Sequence, residues 1–162
     1  MQPLRDLEIL LLLTLANGTP VIAARLLGSR FAWPLDGGLV LPDGRPLLGR
    51  SKTLRGLVLA LAATAAGAAL LGLGWRLGLA VGALAMAGDL LSSFVKRRLG
   101  LASSSQALGL DQVPESLLPL LACRVLLGLG WLDVAVLVGV FLVGELLVSR
   151  LLYRLHIRDR PY

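Results

Sequence analysis

Five apolar stretches, each near the roughly 20 residues that a helix needs to cross the hydrocarbon layer of a bilayer, constrain this chain more than any other feature. They run from about Leu7 to Leu27, Leu57 to Gly74, Leu77 to Val95, Val113 to Trp131 and Val134 to Leu152. The first is interrupted by Asn17, Gly18 and Pro20, and the fourth contains Pro114, Pro119 and Arg124. Such a pattern calls for lipid as the solvent. Hydrophobic residues make up 56% of the chain and charged residues 16%, against about 45–50% and about 25% in a soluble domain. A disordered tail, a disulfide scaffold and an ordinary cytosolic domain are excluded. The lone cysteine, Cys123, has no partner for an intramolecular bridge. The expectation is an all-α integral membrane protein, a single domain over residues 1–162 with five transmembrane helices.

The connections set its orientation. Two are tiny, at Trp75-Arg76 and at Trp131-Leu132-Asp133, and two are long, at 28–56 and 96–112. Five spans put both long loops and the C-terminal tail on one side. That side carries Arg25, Arg30, Arg45, Arg50, Lys52 and Arg55, then Lys96, Arg97 and Arg98, then Arg150, Arg154, Arg158 and Arg160. The other side carries only Arg5 and Arg76. By the positive-inside rule the long loops are cytoplasmic, and Trp75 and Trp131 fall at the opposite interface, where indoles anchor. A multi-pass protein of the inner (cytoplasmic) membrane follows. The N-terminal stretch lacks a cleavage pattern and a strongly basic leader, so it reads as a retained span. The net charge of +6 suits anionic headgroups or anionic substrates, and nucleic acid is not an expected partner. Within the first long loop, Pro42-Asp43-Gly44 between Leu39-Val40-Leu41 and Arg45-Pro46-Leu47-Leu48 predicts a small cytoplasmic β-hairpin.

Ionisable residues at membrane depth each need a reason, because burial there costs on the order of 2.5–3.5 kcal/mol. Asp89 lies inside the third span, and Ser93 and Lys96 follow at i+4 and i+7, with Ser92 and Arg97 beside them. Gly82 and Ala85 continue that face with small side chains. A carboxylate below a hydroxyl below several cations suits a metal-bound polyphosphate. The plainer reading is an Asp–Lys pair within one helix plus anchoring charges, which accounts for Lys96 to Arg98 but not for Asp89. Asp111 precedes the fourth span, with Glu115 one turn later; helix capping and dipole complementation would satisfy both. Yet two carboxylates from separate helix ends can also share Mg²⁺.

Gly49 to Gly56 opens the second span with Lys52, Thr53 and Arg55. It superficially resembles a phosphate-binding P-loop but lacks the glycine directly before the lysine. What remains is a helix start with a hydroxyl and two cations, suited either to phosphate or to membrane anchoring. Asn17 reads first as a hydrogen-bonding contact between helices. Glu145 and Ser149 form another polar spot, with Arg124 a plausible partner for Glu145. His156 stands in the basic tail without a second transition-metal ligand. No zinc, hydrolase or dinucleotide motif is present.

Taken in order, Ala16-Asn17-Gly18, Pro34-Leu35-Asp36-Gly37-Gly38, Asp43-Gly44-Arg45, Lys52-Thr53-x-Arg55-Gly56, Gly88-Asp89-x-x-x-Ser93-Phe94-x-Lys96-Arg97-Arg98 and Leu110-Asp111-Gln112 resemble the CDP-archaeol synthase family. That family belongs to the membrane CTP-dependent cytidylyltransferases, with the CDP-diacylglycerol synthases. The long CDP-diacylglycerol synthase signature, with its His-Gly-Gly segment, is not present. The resemblance implies a five-helix membrane enzyme that transfers CMP from CTP to a lipid phosphate and releases pyrophosphate, with Mg²⁺. Carried over by position, Asp89 and Asp111 would hold the metal. Lys52, Thr53, Arg55, Lys96 and Arg97 would grip the triphosphate, and Asn17, Asp36 and Ser93 would complete the nucleotide pocket or order its loop. Arg50-Ser51 before the lysine and Leu54 after Thr53 depart from the usual pattern, which leaves the acceptor open between diacyl, diether isoprenoid and other lipid phosphates.

Two rivals stand beside this reading. A non-catalytic protein could bind anionic lipid through the basic face, but it has no use for Asp89. A lipid kinase could use the same cavity with another nucleotide preference. The small-residue face at Gly78 and Gly82 would also permit a homodimer.

Overall fold

A computed structural model describes residues 3–103, 105 and 107–154, apart from the side chain of Leu152. His156, Arg158 and Arg160 of the basic tail lie outside the described residues. Six helices follow in order: α1 (Pro3–Leu27), α2 (Leu54–Leu70), α3 (Trp75–Arg98), α4 (Gln112–Ala122), α5 (Arg124–Leu127) and α6 (Trp131–Arg154). Among the described residues there is no strand. Three helical segments, Pro3–Leu27, Trp75–Arg98 and Trp131–Leu151, are long and apolar enough to cross a membrane. Helix α2 is apolar but has 17 residues. The fourth expected span is divided at Cys123 into α4 and the single turn of α5. Leu70, Val125, Leu126 and Leu132 are each at least 70% exposed on the outside of the bundle, an arrangement that lipid satisfies and water does not.

The first span differs from expectation. Asn17, Gly18 and Pro20 do not interrupt α1, which runs through all three. Asn17 Nδ2 donates to Leu13 O (3.1 Å) and Thr19 Oγ1 to Leu15 O (2.6 Å), so these polar side chains satisfy themselves on their own helix. Pro20 meets the start of α2: a Cβ on Gly56 would lie 3.2 Å from the Pro20 ring. The glycine of Lys-Thr-x-Arg-Gly is therefore where two helices nearly touch.

Two further glycine contacts set the bundle. A Cβ on Gly78 would lie 2.3 Å from Thr64 O, and one on Gly82 would lie 2.2 Å from Thr64 Oγ1. The small-residue face read as open to a homodimer is thus occupied within the chain, by α2. On the same helix, a Cβ on Gly88 would fall 2.2 Å from Pro114 O. Helix α4 rests backbone to backbone on α3 beside Asp89. The core between these helices is apolar, with Ile9, Leu12, Leu13, Val81, Leu120 and Leu137 almost fully buried.

The insert between α1 and α2 falls short of the expected β-hairpin. Val40 and Pro46 form one isolated antiparallel bridge, flanked by Leu41 N to Arg45 O (2.9 Å) and Leu47 N to Leu39 O (2.8 Å). The turn at Pro42-Asp43-Gly44 is present, with Gly44 at a φ of 74°. Pro46 has no N–H to extend the ladder. A second bridge, Pro34 to Thr53, ties the two ends of the insert together through Leu35 N to Lys52 O (2.8 Å) and Leu54 N to Trp33 O (3.0 Å). That closure delivers Lys52 to α3.

Candidate active site

Lys52 leaves the closed end of the insert and bonds both carboxylate oxygens of Asp89, at 2.5 and 2.6 Å. One helix end away, Lys96 Nζ sits 2.6 Å from Asp111 Oδ1 and donates to Ser105 O (2.9 Å). Both pairs are largely shielded from water. Each carboxylate expected at a metal is therefore neutralised by a lysine expected at a phosphate. The pairing corrects the simpler picture of an Asp89–Lys96 pair along one helix: both lysines cross to another segment instead. About 10 Å of helix rise separates Asp89 from Lys96.

Helix capping does not account for Asp111. Its side chain makes no cap bond to α4; Oδ2 accepts from Ala107 N (2.9 Å) and so orders the preceding loop. Gln112 Oε1 likewise accepts from Gly109 N (2.9 Å). Arg97 is buried beside this pair, donates from Nη2 to Ala102 O (2.8 Å), and has its Nε without an acceptor. Ser93 is buried on the same helix.

The insert is ordered by Asp36. Its carboxylate accepts from Gly38 N (3.0 Å), Leu48 N (2.9 Å) and Gly49 N (3.3 Å). Partial burial pushes the Asp36 carboxyl up, but these backbone donors outweigh it and hold the group below the usual carboxylate value. Thr53 caps α2, its hydroxyl accepting from Gly56 N (3.2 Å). Arg55 turns to the carbonyls of Gly28 and Arg30, bracing the exit from α1. Arg98 reaches back to the insert, pairing with Asp43 at 2.5 Å and donating to Pro46 O. Asn17 lies on the α1 side of a groove against α6, where its carboxamide nitrogen donates one hydrogen bond to Leu13 O.

Glu115 is the residue that sequence reasoning undervalued. It is 5% exposed, its Oε2 has no hydrogen-bond donor, and its charged surroundings are Asp89, Glu145 and Lys52. The signal was present as a second acid one turn after Asp111, but only the contact at Gly88 turns it towards Asp89. The described residues contain no group of three or more ligands already gathered around a point. The donor set nevertheless fits a hard divalent cation. It offers carboxylate oxygens only, one of them buried without a donor, and Mg²⁺ takes one or two carboxylates with the rest from phosphate and water.

Helices too apolar for water, with two lysine–carboxylate pairs held where they meet the long loops, define a membrane-embedded protein. Residues 66–162 match the CarS-like CDP-archaeol synthase family. The chain is 45% identical over 125 residues to a CDP-archaeol synthase of Aeropyrum pernix, covering 72% of this chain and 67% of that one. It is 36% identical over 135 residues to a CDP-archaeol synthase of Sulfurisphaera tokodaii, covering 80% and 81%. A solved structure described as an intramembrane enzyme for archaeal membrane lipids biosynthesis superposes with a TM-score of 0.74 at 35% identity, covering 88% of this chain and 90% of that one. The chain belongs to the CDP-archaeol synthase family, as its motifs indicated, and is an integral membrane enzyme.

Proposed function

We propose that this protein transfers CMP from CTP to a diether isoprenoid glycerol phosphate, forming a CDP-archaeol type product and releasing pyrophosphate. Family membership supports the use of CTP and a lipid phosphate in a membrane. The observation that carries the chemistry is the pair of crossed bridges, Lys52–Asp89 and Lys96–Asp111. An oxygen of the lipid phosphate attacks the α-phosphorus of CTP; the bond from that phosphorus to the β-phosphate oxygen breaks, and pyrophosphate leaves. Two anions must approach, so cations have to offset their repulsion. Lys52, Lys96 and Arg97 supply fixed positive charge for the triphosphate and the leaving group. Asp89 and Asp111, with Glu115 beside Asp89, would hold Mg²⁺, which when bound neutralises phosphate charge. The nucleophile is already an anion and needs no strong base.

Thr53 and Asp36 act by shaping the helix start and the insert that present Lys52, and Arg55 by bracing them. Ser93 lines the α3 face between the two bridges. In this reading α2 and the α4–α5 pair complete five crossings, with the insert and the 99–111 loop on the cytoplasmic side, where CTP is found. The experiment is release of pyrophosphate from CTP and Mg²⁺ by the purified protein, with a diether isoprenoid phosphate and with phosphatidate in parallel. Release that depends on the diether phosphate is expected. Release only with phosphatidate would reassign the acceptor, and CTP binding without release with either would leave the transfer reading unsupported.

A further inference from the structure

Asp43 and Arg45, at the tip of the insert, and Arg98, at the end of α3, have no part in the transfer described above. They fasten to one another. Arg98 donates to the Asp43 carboxylate (2.5 Å), to Pro46 O (2.5 Å) and to Arg45 O (3.3 Å). In the opposite direction Arg45 Nη1 donates to Arg98 O and to Arg97 O (3.5 Å), at the C-terminus of α3, where a cation is favoured. Two close approaches fit the clasp. Gly100 has a φ of 76°, and a Cβ there would lie 3.4 Å from the Arg45 guanidinium. The Arg98 guanidinium also lies over the Phe94 ring, 5.4 Å from its centroid. A lone exposed ion pair contributes little, but here two guanidiniums bind in both directions between segments far apart in sequence.

From the tip, hydrogen bonds lead to the charged site without a gap. Leu47 N donates to Leu39 O (2.8 Å), Leu48 N and Gly49 N donate to Asp36, and Lys52 N donates to Gly49 O (3.2 Å). Lys52 then reaches Asp89. Gly49 also meets the other side of the site: a Cβ there would lie 2.9 Å from Ser103 Oγ and 3.3 Å from Arg97 Nη1. Beside it, Ser103 Oγ donates to Ser51 Oγ (3.3 Å). A shift of the tip is therefore passed both to the Lys52 ammonium and to the contact of Gly49 with Arg97. We propose that Asp43, Arg45 and Arg98 are positioning residues, which clasp the insert to the end of α3 and so set Lys52 and Arg97 for the triphosphate without touching the nucleotide. The proposal rests on the function proposed above for the same site, and adds what holds its cations in place.

The test breaks the clasp and then replaces it with a covalent one. Calorimetric titration of the detergent-solubilised full chain measures CTP affinity with Mg²⁺ present. Arg98→Gln should weaken it about tenfold, within the range of residues that act through a contact network. Asp43→Asn should weaken it about threefold, as expected of one exposed pair, because Arg98 keeps the Arg45 and Pro46 carbonyls. Retention of a diether isoprenoid phosphate, read by native mass spectrometry, should not change in either. Ser51→Cys with Ser103→Cys, in a Cys123→Ala background, supplies the substitute, since hydroxyl oxygens 3.3 Å apart mark side chains close enough for a disulfide. Oxidised glutathione should close that bond about tenfold faster with the clasp intact than with Arg98→Gln, by the same network range. Once closed, the bond should restore CTP affinity to the Arg98→Gln protein, and reduction with dithiothreitol should abolish the rescue.

Unchanged CTP affinity in Arg98→Gln would overturn the proposal. So would a closed disulfide that restores nothing, since that describes an arginine in direct contact with the nucleotide. Equal rates of disulfide closure with and without Arg98 would show that the insert stays in place unaided, and would overturn it as well. Failure of wild type to bind CTP would instead remove the transferase reading, while the closure rates still show whether the clasp holds the insert.

Discussion

Lys52 and Asp89, 37 residues apart, share a two-pronged ion pair inside the bundle, with the lysine ammonium 2.5 Å from one carboxylate oxygen and 2.6 Å from the other. The consequence is a linkage between ligands. A triphosphate can take Lys52 only if something else neutralises Asp89, and a divalent cation can take Asp89 only if Lys52 finds another anion. CTP and Mg²⁺ should therefore bind together much more tightly than either alone. Calorimetric titration of each in the presence and absence of the other checks this, and independent binding would contradict it.

Removing the lysine should cost the nucleotide most. Hydrogen bonds to charged groups contribute about 1.5–3 kcal/mol, so Lys52→Ala is expected to weaken CTP binding roughly 10- to 100-fold with lipid retention little changed. Asp89→Asn should abolish turnover in a protein that still folds in detergent. Equal CTP affinity in Lys52→Ala, or full activity in Asp89→Asn, would remove these roles.

Glu115 should act through the metal requirement. Its carboxyl interacts with Asp89 and has one buried oxygen without a partner, so Glu115→Gln is expected to raise the Mg²⁺ concentration for half-maximal rate about tenfold, in the range seen when a partner of a metal ligand is changed. A variant that loses stability with an unaltered Mg²⁺ dependence would make Glu115 a packing residue.

Gly88 should tolerate nothing larger. A Cβ there meets Pro114 O at 2.2 Å and Glu115 N at 2.7 Å, so Gly88→Ala must push α4 away from α3, at about 1–3 kcal/mol. Thermal unfolding in detergent should show a lowered midpoint with loss of activity. Gly139→Ala, where the added atom meets nothing within 4 Å, should leave both unchanged.

Acid should loosen the insert through Asp36. The folded group lies below its ordinary value of 3.8, so its contribution is complete above that value and is lost as pH falls below it. Amide exchange at Gly38, Leu48 and Gly49 should quicken in Asp36→Ala at neutral pH. Wild-type exchange rates in the variant would show that the insert holds its shape without this carboxylate.

Much of this was legible in the chain. A carboxylate within an apolar span has few structural excuses, so Asp89 stood out, and the apolar stretches were visible because lipid demands them. The partners were not visible, because pairing of Lys52 with Asp89 depends on the Pro34–Thr53 bridge, which brings residues far apart in sequence together. Glu115 was read as a helix-start charge because Gly88 lets α4 settle onto α3 only in three dimensions. Pro20 suggested a break in α1, yet one missing N–H is tolerated where neighbouring helices and hydroxyls support the turn. Gly78 and Gly82 advertised a close contact correctly, but composition alone does not say whether the neighbour is α2 or a second chain.

The most direct test of the central claim follows the phosphorus. The purified protein is incubated with Mg²⁺, a diether isoprenoid phosphate and CTP labelled at either the α- or the γ-phosphate, and the lipid extract is counted. Transfer of CMP predicts label in the lipid from α-labelled CTP and none from γ-labelled CTP. Label from the γ-position would make the protein a kinase, and label from neither, with CTP still bound, would contradict the account.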